Sequence, residues 1–161
     1  MTFDPRTMSL YVYEELKNLR SLYDTALNST ENPLEFDTYE SHLKEQKNQA
    51  VELYTYLSTW GLMRLRAEEI ILDKRDSLDR EPTIQERAAK NQEGKREVIE
   101  KYFHCLGKIC GKQILSSDRG LDALKTMNTN EYLGLTGLGL EIAQEFSFWA
   151  SAIYHDITGG E

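Results

Sequence analysis

The sequence predicts an all-α protein, one domain over residues 1–161 built as a single compact bundle of about six helices. Three observations carry that expectation. Only 3 prolines interrupt 161 residues rich in Leu, Glu, Lys, Ala and Gln, all good helix formers. Apolar residues recur at spacings of three and four rather than two. Cap signals punctuate them at intervals suited to helices.

The first helix opens at Asp4-Pro5, a cap followed by proline at the first helical position. Met8, Val12, Leu16, Leu19, Tyr23 and Ala26 form its apolar stripe, which runs to Leu27. Asn28 to Pro33 reads as a loop. Asp37 and Glu40 form a capping box for a second helix carrying Tyr39, Leu43, Ala50, Tyr54 and Leu57. Thr59-Trp60-Gly61-Leu62 interrupts it, because glycine costs about 1 kcal/mol against alanine inside a helix. Thr59 is the candidate cap for a further helix from Leu62 to Arg75, with Leu62, Leu65, Ile70 and Leu72 as its apolar positions.

Residues 76–82 read as a polar surface loop, followed by a capping box at Thr83 and Glu86. The next helix is weak as far as Gly94 and strengthens through Val98, Tyr102, Leu106, Ile109 and Ile114. Ser116, Ser117 and Asp118 cap a short helix ending near Met127. Asn128 and Glu131 open the last helix, expected to reach Ile157. Gly134, Gly137 and Gly139 in its first turns either admit a close neighbour or mark fraying.

With 40% hydrophobic and 29% charged residues the chain has globular composition. No apolar run approaches the roughly 20 residues that span a bilayer. Cys105 and Cys110 fall on different helical faces, poorly placed for a disulfide. The expected location is cytoplasmic. The net charge of −8 argues against free, non-specific nucleic-acid binding. Yet 14 of the 19 Lys and Arg residues lie between positions 61 and 125, and none follows Lys125.

Catalytic patterns are sparse. His42, His104 and His155 are scattered, and each reads best as a surface or half-buried histidine. Glu100 and His104 sit one turn apart, but no second such pair completes a helical metal site. MazG-type Mg-dependent pyrophosphohydrolases use a Glu-x-x-Glu pair followed by a Glu-x-x-Asp pair. Glu97 and Glu100 match only the first, and together with Asp73, Asp76 and Asp79 they read as a solvated face. The glycines from Gly134 to Gly139 follow no strand, so they form no phosphate loop. No enzyme, metal or cofactor is expected.

The basic middle segment is the better candidate. Lys101, Lys108 and Lys112 sit at spacings of seven and four, near one helical face, with Arg64 and Arg66 just after the Gly61 break. Such a stripe can track phosphates. In the last helix Phe146, Trp149 and Tyr154 are candidate protein-interface residues; core packing is the commoner use of such side chains.

Tyr39, Ser41 and Lys44, then Thr59, Gly61 and Leu62, then Met127-Asn128-Thr129-Asn130-Glu131-Tyr132 bring a family into view. Over these stretches the chain resembles the small all-helical subunit of type III-B (Cmr-type) CRISPR effector complexes. Trp60 stands where that family usually has Asn, and residues 73–95 read as an insertion, expected to be flexible. The resemblance implies a non-catalytic antiviral-defence subunit that stacks along a filament with other effector subunits. There it contacts the backbone of guide RNA and target RNA. A helical protein–protein adaptor or dimerisation module is the alternative.

Overall fold

The computed structural model describes residues 4–73 and 80–158. Helix α1 (Pro5–Ser29) starts as its sequence dictates: the Asp4 side chain accepts from the Arg6 amide, and Pro5 takes the first position. Met8, Val12, Leu16, Leu19 and Tyr23 all turn inward.

Helix α2 (Pro33–Leu72) begins earlier than the Asp37 box suggests, because Asn32-Pro33 repeats the start signal of α1. The Asn32 side chain accepts from the Leu34 amide at 2.9 Å. Its buried face runs Tyr39, Leu43, Gln46, Ala50, Leu53 and Leu57, with His42 and Gln49 beside it. Tyr54 is exposed, and Leu53 takes the inward position expected of it. The polar Gln46 breaks the apolar count and so shifts the reading by one residue.

At Gly61 the backbone adopts φ 85° and ψ 173°, which breaks α2 into two helical halves. Thr59 does not cap the second half; its hydroxyl donates back to the Thr55 carbonyl at 2.9 Å. The Tyr132 hydroxyl does the job from another helix, accepting from the Met63 amide at 3.2 Å. Leu62, Leu65, Arg66 and Glu69 line the inner face of this half, and Ile70 is exposed. The helix stops at Leu72, short of the expected Arg75; residues 74–79 lie outside the described residues.

Helix α3 (Ile84–Ala89) carries the complete Thr83/Glu86 capping box, and it lies within the stretch read as an insertion. Helix α4 (Glu93–Cys110) follows, then a 3-10 turn (Gln113–Ser116) and α5 (Gly120–Thr126). In the turn Leu115 is buried and Ile114 exposed. Ser117 accepts from the Arg119 amide rather than capping α5 directly. Helix α6 (Thr129–Ile153) is capped by the Asn128 side chain and ends before Ile157.

Helix α2 packs against α4 and α6, and α1 lies across all three. Their facing residues form one core, including Leu16, Leu43, Leu65, Phe103 and Phe146. Each such side chain contributes about 1.5–3 kcal/mol on burial. Gly94 lets α4 cross α2, since a Cβ there would lie 2.6 Å from the His42 carbonyl oxygen. Gly139 likewise faces the Tyr102 hydroxyl, whereas Gly134 and Gly137 face open space. Among the described residues no helix is long and apolar enough to cross a membrane.

Candidate nucleic-acid interface

Helix α4 has two sides of opposite character. Its outward side presents Lys101 and Lys108 along the seam with α1, and Lys112 follows just past the helix end. Each holds a loose partner. Lys101 Nζ is 3.9 Å from Glu15, Lys108 Nζ lies 4.2 Å above the Tyr11 ring, and Lys112 Nζ is 3.7 Å from Glu131. Long pairs at or near the surface are worth about 0–1 kcal/mol, so a phosphate can replace them at small cost.

The inward side is charged too, which the residue pattern alone does not show. Glu97 is buried, not part of a solvated face, and every lone-pair direction of its carboxylate is engaged. One oxygen pairs with His42 Nε2 and accepts from Gln46 Nε2 at 3.1 Å. The other accepts from the Tyr23 hydroxyl at 2.5 Å and from Arg87 of α3. Burial alone would push this carboxyl up; the hydrogen bond and charge of His42, then Arg87 and Tyr23, outweigh it and hold Glu97 below its ordinary value. Burial and the neighbouring Glu97 charge push the Tyr23 hydroxyl far up, so it stays a donor. His42 is therefore a fully buried partner of Glu97, not a surface histidine.

A second cluster lies one turn away. Arg96 donates to Glu93 at 2.9 Å and to Glu100 at 2.6 Å. Its Nη1 also lies 3.9 Å from Glu69, which in turn pairs with Arg66. Glu45 of α2 caps α4 from outside, accepting from the Gln92 and Gly94 amides at 3.0 and 3.2 Å. A cleft lined by Leu19, Arg87, Arg96, Glu97 and Lys101 links the network to the outer ridge.

The predicted site residues therefore separate. Lys101 and Lys108 both lie against α1, whereas Lys112 stands past the end of α4 against Glu131 of α6. Arg64 is exposed and stacks on Trp60, its guanidinium carbon 3.9 Å from the ring centroid. Arg66 is only 6% exposed, held by Glu69 and by the Ser117 carbonyl at 2.5 Å. Freeing such a buried charge costs about 3–5 kcal/mol, so Arg66 braces α2 and is withdrawn from the surface set. Phe146 of α6 and Tyr154 at its C-terminal cap are 0% exposed and belong to the core. Trp149 is half-buried, its indole N–H donating to Ser9 at 3.2 Å. The outward face of α6 instead exposes Leu133 (61%) and Phe148 (64%).

Glu93, Arg96, Glu97 and Glu100 recur at spacings of three and four, the one signal that could have revealed a charged helix face turned inward. Both cysteines are free, and among the described residues no three His, Cys, Asp or Glu side chains converge on a metal position. Comparison with protein-family models, curated proteins and solved structures gives no match.

Proposed function

We propose that the chain is a non-catalytic, RNA-facing small subunit of a cytoplasmic type III-B CRISPR effector, stacked beside its neighbours along the guide and target RNA. The supporting observation is the two-sided α4. Lys101, Lys108 and Lys112 stand on an outer side whose ion pairs exchange cheaply, above a buried network that fixes the helix's position. Arg64 adds a further exposed cation near the Gly61 kink. Such lysines read phosphate spacing and leave sequence to base pairing. The net charge of −8 keeps affinity low for the lone subunit and makes binding depend on assembly.

The exposed Leu133 and Phe148 favour a protein contact as well, and in this reading the outward face of α6 meets a neighbouring subunit. The test is purification of the tagged chain from its native host. RNA of discrete lengths together with other subunits supports the assignment, whereas a protein partner without RNA supports the adaptor instead.

A further inference from the structure

The surroundings of Trp60, beside the Gly61 kink, are specific. The ring retains 52% exposure even with the Arg64 guanidinium stacked upon it. Gly61 produces this arrangement. Its positive φ ends one helical half at Trp60 and restarts the next at Leu62, so Arg64 returns over the ring within the first new turn. The Tyr132 hydroxyl holds the Met63 amide, which fixes the backbone beneath the pair. Next to Tyr132, Glu131 lies 3.7 Å from Lys112, which brings the cation just past the end of α4 toward this corner.

A planar ring with a planar cation already stacked on it is a poor surface for an aliphatic or a basic partner. It suits a nucleobase, which stacks on an aromatic face or on a guanidinium plane while the cation attracts the adjoining phosphate. Bases inside a duplex are stacked on both sides, so the occupant is an unpaired one. We propose that Trp60 and Arg64 form a stacking platform for a single unpaired base of the RNA whose backbone follows Lys101, Lys108 and Lys112. This rests on the RNA-facing reading above.

The test uses the assembled complex containing the full chain, loaded with RNA carrying 4-thiouridine, photo-cross-linked and mapped by mass spectrometry. Cross-links are expected within residues 60–64. Trp60→Ala should lower their yield about tenfold, within the roughly 1–3 kcal/mol of one base stack, and Trp60→Phe should keep most of it. Cross-links on the α4 lysines with none at residues 60–64 would overturn the platform and leave the RNA-facing reading standing. Absence of cross-links anywhere would overturn both.

Discussion

Glu97 shows how one side chain can decide the position of three helices. Its carboxylate gathers Tyr23 of α1, His42 and Gln46 of α2 and Arg87 of α3, all while sitting on α4. Gln46 passes the connection on to Tyr154, whose hydroxyl donates to it at 2.6 Å. Replacing Glu97 with Gln leaves Arg87 without its counter-charge and buried His42 and Tyr23 without their carboxylate partner. Denaturant unfolding should show a loss of about 3 kcal/mol or more, as expected for breaking a buried ion pair. A loss below about 1 kcal/mol would mean that the cluster is hydrated and does not organise the helices. The Arg66 pairing follows the same logic: an arginine used internally is withdrawn from the surface.

Among the elements, α2 depends on a cap supplied from far along the chain. Thr59 resembles a local cap because its hydroxyl stands just before the break, but that hydroxyl is already engaged with Thr55. Replacing Tyr132 with Phe removes the acceptor for the Met63 amide and should cost about 1 kcal/mol in unfolding free energy. Gly61→Ala forces an alanine to φ 85° and should cost about 1–3 kcal/mol. Equal stability of both variants and the parent would remove the account of the kink. These two positions also mark what a sequence can disclose. Local signals such as Asp4-Pro5, Thr83 with Glu86 and the α1 stripe are legible because cause and effect lie within one turn. The Tyr132 cap, the Glu45 cap of α4 and the Glu97 cluster join residues far apart in the chain. No periodicity count exposes them. Phe146 and Tyr154 read as interface residues for the same reason: aromaticity says that a ring wants cover, not which element supplies it.

At the scale of the whole molecule, the C-terminal end ties the bundle shut. Arg20 donates to the Ile153 carbonyl and pairs with Asp156, while Lys47 donates to the Ile157 carbonyl. The hydrogen bond from Arg20 lowers the Asp156 carboxyl to about 2. A depressed carboxylate stabilises the fold above its unfolded value of about 3.9 and loses that contribution as pH falls toward the folded value. Melting temperature should therefore fall between about pH 4 and pH 2, and Asp156→Asn should flatten the fall. An unchanged acid profile would show that the strap does not hold. On the outer surface the proposed RNA contacts are the exchangeable lysine pairs of α4. The direct measurement is RNA recovered with the assembled complex at physiological salt, comparing the parent chain with the variant in which Lys101, Lys108 and Lys112 are Glu. The account predicts intact assembly with RNA retention reduced by about tenfold or more, since binding weakens with every phosphate left without its cation. Equal RNA retention by the two complexes would contradict it.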